Sequence, residues 1–215
     1  MEILHACLSW ILHLDLHLLA LVSTYGLWVY AILFIVIFCE TGLVVTPILP
    51  GDSLLFAAGT LAASATQALN IHLLFCLLVS ASILGNAANY SIGRFLGPRV
   101  FHLPRSRLLN PRSLEKARQF YENHGGKAII IARFLPIIRT FAPFVAGIGA
   151  MNYQRFLFYN LCGALLWVGS LLYTAYFFGN LPFIKAHFST VLLAIVVLSL
   201  LPPLLTYLRQ KPLPT

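Results

Sequence analysis

Charge is what this 215-residue chain has least of: 9% of its residues are Asp, Glu, Lys or Arg, against 60% hydrophobic. Soluble domains carry about 25% charged residues. So little charge cannot coat an apolar core in water, and the solvent is expected to be lipid. Acids stop early: Glu2, Asp15, Glu40, Asp52, Glu115 and Glu122 are all there are. Lys and Arg are missing before Arg94, then Arg94, Arg99, Arg105, Arg107, Arg112, Lys116, Arg118 and Lys127 crowd together. That cluster lies between apolar segments, so nucleic-acid binding is excluded and a cytoplasmic loop is expected. Cys7, Cys39, Cys76 and Cys162 form no CxxC pair, which points to packed thiols rather than a metal or disulfide framework. No base precedes the first apolar stretch, and His13, Asp15 and His17 interrupt it, unlike a cleaved signal peptide. His13 and His17 have helical ligand spacing, but no third ligand is near, so a hydrated helix face is the better reading. No metal or cofactor is expected. No nucleophile–base pair is visible either, so the chain is not expected to be an enzyme.

What is present is a series of long apolar runs. About 20 apolar residues cross a bilayer, leaving room for about four spans and some partial ones in one membrane domain over 26–215. Residues 1–25 read as an amphipathic helix lying at the interface. Residues 26–42 are apolar up to Glu40. The stretch 43–68 is apolar too, but Pro47, Pro50 and Gly51 break it and Asp52 charges it. Broken backbone at membrane depth is tolerated where protein or a wet cavity surrounds it, so 43–68 reads as a re-entrant hairpin. A long span, 71–97, ends in Asn86, Asn89, Tyr90 and Arg94, with Gly93 and Gly97 spaced for close helix packing. The basic loop 98–127 follows. Residues 128–150 repeat the earlier oddity, with Arg133 and Arg139 in an apolar run broken by Pro136 and Pro143, and read as a second re-entrant hairpin. Spans over 155–179 and 183–208 complete the chain.

Placing 98–127 in the cytoplasm fixes the orientation. The span 155–179 runs outward, the turn near Asn180 is external, and Arg209 and Lys211 return inside, as the charge rule requires. The hairpins then enter from opposite faces. All-α inverted repeats with broken helices are a transporter architecture.

Glu40, Asp52, Arg133 and Arg139 are the candidate functional residues. A charge at the bilayer centre costs about 2.5–3.5 kcal/mol on insertion scales. One reading is a pair of structural staples, with Asp52 and Arg139 as one pair to test. The other is functional. A carboxylate withdrawn from water can take up a proton, while arginine stays charged and grips phosphate with a planar fork. Together they suit proton-coupled movement of an anionic group.

These residues also carry a resemblance. The segments FCETGLVVTPILPGDSLLFAAGTLA, NYSIGRFLG, FYENHGGKAIIIARFLPIIRTFAPFVAG and YNLCGALLW are similar to those of the DedA family of bacterial inner-membrane proteins. The resemblance implies re-entrant hairpins, an architecture shared with eukaryotic scramblases of the VTT-domain group. It also implies transport of a lipid-linked phosphate, undecaprenyl phosphate or a phospholipid, in support of envelope integrity and the proton motive force. Glu40, Asp52, Arg133 and Arg139 match the family's functional acids and arginines. Asn86 departs, standing where Asp is frequent, and cannot titrate. The expectation is a multi-pass inner-membrane lipid flippase whose partners are membrane lipids and protons, with a homo-oligomer left open. Its rivals are a small-ion antiporter, which has no evident need of the arginines, and a non-transporting scaffold.

Overall fold

The computed structural model describes residues 24–43, 51–63, 69–100, 125–149 and 151–182, with single positions at 184, 190, 191 and 194. Six helices are formed there, and no strand occurs among the described residues. They are α1 (Trp28–Gly42), α2 (Gly51–Ala62), α3 (Ile71–Val100), α4 (Lys127–Arg133), α5 (Pro136–Ile148) and α6 (Tyr153–Phe178). The N-terminal interfacial helix, Pro47, Pro50, most of the basic loop and the span over 183–208 lie outside the described residues.

Two helices are long and apolar enough to cross a membrane: the stretch Ile71–Leu96 of α3 and the whole of α6, each of 26 residues with mean hydropathy 1.9 and 1.6. At 1.5 Å per residue each is about 39 Å long. Neither hides its apolar surface. Leu84 and Phe95 on α3, and Phe158 and Leu166 on α6, are exposed by half or more, as side chains that meet lipid must be. The 15 residues of α1 are also apolar but reach only about 22 Å.

The expected break in 128–150 is there, and its position has a local cause. A residue before proline is pushed out of the helical region, and Leu135 is extended (φ −117°, ψ 101°) ahead of Pro136, the first residue of α5. Thus α4 stops at Arg133, and α5 begins in contact with it across the break. Their 7 and 13 residues are each too few to cross a bilayer alone. Pro143 corrects the sequence reading: it sits inside α5 without ending it. Its missing N–H leaves the Arg139 carbonyl without the usual helical donor. Neighbouring helices can satisfy such a carbonyl in a membrane, and Asn89 of α3 donates to the next one along, Thr140 O, at 2.7 Å. Gly51 also differs from expectation in a small way. It is the first residue of α2 and not part of an irregular stretch.

The chain divides into two compact units. One comprises residues 1–31, 50–75 and 169–215, the other 32–49 and 76–168. In the first, α2 lies close on α6: a Cβ on Gly59 would strike the Leu172 backbone, and Tyr30 Oη accepts from Asn70 N–H at 2.7 Å. In the second, Tyr90, Ile129, Ala146 and Phe156 from α3, α4, α5 and α6 make an apolar core. Here Gly85 lets α3 meet α1. A Cβ on it would run into Thr41 Oγ1 and stand 2.8 Å from Phe38 O. Gly93 and Gly147 do the same between α3 and α5, where added Cβ atoms would meet the Phe144 and Tyr90 carbonyls.

Candidate functional site

The second unit gathers eight buried polar residues from five helices. Glu40 and Thr41 come from the last turn of α1, and Ser82, Asn86 and Asn89 from one side of α3. Arg133 ends α4, Arg139 lies one turn into α5, and Asn160 comes from α6. All are buried; Glu40 is 0% exposed, Arg133 3% and Arg139 8%.

Arg139 forms an ion pair through Nη2 with Glu40 Oε1. Its guanidinium also lies over the Trp167 ring, 5.0 Å from the centroid, a cation–π arrangement. In this unit, then, the acid that meets Arg139 is Glu40. Asp52 belongs to the other unit, half-buried in the first turn of α2. A helix N-terminus favours a carboxylate at such a position.

Arg133 is held differently. Nη1 donates to Ser82 Oγ at 2.5 Å, and Nη2 to both the backbone oxygen of Asn160, at 3.3 Å, and its Oδ1. Every acceptor is neutral, and Arg133 Nε has none. Asn160 is itself fixed, accepting from Asn86 Nδ2 at 3.0 Å and donating to Ile83 O at 3.1 Å. Gly163, one turn further along α6, makes room for the arginine: a Cβ there would stand 2.7 Å from Arg133 Cδ.

Thr41, Asn86, Arg133, Arg139 and Trp167 enclose a cavity with about 10 Å3 of room for the centre of a water-sized molecule, enough for about one water. Its charged walls are both cationic. With Glu40 counted, the cluster carries one net positive charge, and an anion is the species its walls suit.

Of the residues singled out in the sequence, the structure brings Glu40, Arg133, Arg139, Asn86 and Asn89 together. Tyr90 and Arg94 belong to a separate cluster, where Arg94 Nη1 donates to Tyr90 Oη at 3.2 Å and Tyr90 donates to Met151 O. Pro136 sets the break beside Arg133, whereas Pro143 shapes α5 from within. Ser82, Thr41, Asn160 and Trp167 were missed. Asn160 carried a usable signal, because an amide in the middle of an apolar span is as conspicuous as Asn86.

A family profile described as the VTT domain matches residues 49–177. The chain is 52% identical over 211 residues to Protein DedA of Escherichia coli K12, covering 98% of this chain and 96% of that one. The chain belongs to the DedA family. The chain is also similar to an uncharacterized membrane protein, ML0287, of Mycobacterium leprae, 40% identical over 171 residues (80% of this chain, 76% of that one). Inner membrane protein YqjA of E. coli K12 is 35% identical over 188 residues, or 85% and 81% of the two chains. No solved structure matches. As a DedA family member with two helices long and apolar enough to cross a bilayer, the protein is a membrane protein.

Proposed function

We propose that this is a multi-pass transporter of the bacterial inner membrane, not an enzyme, and that it moves the phosphate headgroup of a lipid past Arg133 and Arg139 while the tail stays in the bilayer. One observation carries the reading: Arg133 is buried beside a second arginine on a shared cavity, with only neutral partners among the described residues. A buried cation without a counter-ion is costly, and a purely structural network would be expected to supply one. A phosphate would supply it, in the bidentate geometry that guanidinium favours. The relatives' names, a membrane protein and an inner membrane protein among them, support the location.

In this reading α4 and α5 are the two arms of a re-entrant hairpin, and α2 belongs to its inverted counterpart over 43–68. The one-water cavity belongs to a closed state. Glu40 is the resident anion on Arg139, and taking up a proton frees the arginine for phosphate. Asp52 is the second proposed proton carrier, and membrane lipids and protons are the partners.

The test is translocation in liposomes by the purified full chain, using labelled polyprenyl monophosphate and labelled phosphatidylethanolamine with and without a proton gradient. Arg139→Lys keeps the charge and loses the fork. It is expected to slow headgroup translocation about tenfold, equivalent to about 1.4 kcal/mol, with normal insertion. Unchanged translocation in Arg139→Lys, or none of either lipid by the unmodified chain, would overturn the reading. Proton movement alone, without lipid, would favour the antiporter.

A further inference from the structure

Asn89 is fully buried on α3, and both hydrogens of its side-chain amide are committed. Nδ2 donates to Thr41 O at 3.2 Å and to Thr140 O at 2.7 Å. Those carbonyls are not arbitrary. Thr41 directly follows Glu40, and Thr140 directly follows Arg139. The two partners of the ion pair are 99 residues apart in sequence, yet a single side chain grips the backbone one residue beyond each. The first of them needs a donor from elsewhere, and the second lies where α5 is weakened. Thr41 O is among the last carbonyls of α1, which have no helical N–H to accept from, and Thr140 O adjoins the one that Pro143 deprives of its donor. Lipid offers no water to serve Thr41 O. The amide oxygen shows which way the group is locked: Asn89 Oδ1 is buried with no donor. Turning the amide over would satisfy nothing, because it would set that oxygen against a carbonyl.

We infer that Asn89 is a positioning residue for the Glu40–Arg139 pair, a clamp that sets the backbone of α1 and α5 so that carboxylate and guanidinium meet. The inference concerns the pair itself and does not require that the protein transport anything.

A thermal double-mutant cycle tests it. Glu40→Gln, Arg139→Gln and the double variant are made in the full chain, purified in detergent, and their Tm values compared. The non-additive part of the shifts is the coupling between the two charges. The cycle is repeated with Asn89→Leu, which keeps the bulk and removes both donors, and with Asn89→Ser as a milder replacement. The coupling is expected to fall to less than half in both. With Tyr90→Phe, which loses a hydrogen bond one residue along α3 but touches neither carbonyl, it is expected to stay intact. A coupling that survives Asn89→Leu or Asn89→Ser while Tm falls would overturn the inference, since the amide would then be only a packing element. Failure of Asn89→Ser to fold would overturn it in the same way. Equal loss of coupling in Tyr90→Phe would also count against it. Headgroup translocation is not read in this cycle, so the clamp and the transport proposal stand or fall separately.

Discussion

Arg133 and Arg139 look interchangeable in the sequence, two arginines in one apolar run, and the structure separates them by their partners. Arg139 has a carboxylate, and Arg133 has a hydroxyl and an amide. That difference makes Asn160→Asp informative. It puts a carboxylate where Arg133 already donates, at the expense of the hydrogen bond to Ile83 O. If Arg133 waits for a phosphate, the new acid fills the vacancy. Tm is expected to rise, and headgroup translocation in liposomes to fall about tenfold or more. If the network is purely structural, Tm rises and nothing else changes. Gly163→Ala probes the same side chain by crowding. The added methyl falls within 2.9 Å of Arg133 Cδ and Nε, and overpacking costs about 1–3 kcal/mol. The long side chain can swing aside, so the expected outcome is near-normal expression with several-fold slower translocation. The charged residues were legible in the sequence because each is expensive in an apolar run. Their neutral partners were not. Ser82 and Thr41 are cheap in any helix, and only the fold shows that Arg133 donates to the one and that the other sits against Gly85.

At the level of elements, local chemistry was readable and its limits are instructive. The end of α4 follows from Leu135 preceding Pro136, a constraint between neighbours. Pro143 obeys a different rule, because donors and packing from α3 hold α5 together through it, and no local pattern announces that. The crossing of α1 and α3 was equally hidden. Gly42 and Gly85 lie far apart in sequence, yet a Cβ on Gly42 would come within 3.3 Å of Gly85 Cα. Gly85→Ala is therefore expected to destabilise by about 1–3 kcal/mol, read as a lower Tm. Because the crossing holds Thr41 beside the cavity, the loss is expected to extend to translocation. An unchanged Tm would mean that α1 shifts freely.

For the molecule as a whole, the sequence showed that lipid is the solvent, and the exposed apolar faces of α3 and α6 agree. It also supplied an orientation, through the basic stretch before Lys127 and the bases at the C-terminus. Single-cysteine variants at Arg107 and Gln210, in a cysteine-free background, are expected to react with an impermeant thiol reagent only from the cytoplasmic side, and one at Asn180 only from outside. Labelling of 107 and 180 from the same face would reverse α6. That Glu40, Arg133 and Arg139 would meet was expected from the cost of their charges, but that Glu40 is the acid on Arg139 lay beyond reach, because the pair joins α1 to α5 across a long stretch of chain. The size of the cavity they border has an electrical meaning. Protons run quickly along files of linked water molecules, and a chamber with room for one water holds no file. If the proposed transport is right, this form of the site is an insulator: it would set two fixed positive charges inside the dielectric without offering a wire, and the membrane would keep its voltage until α4 and α5 part.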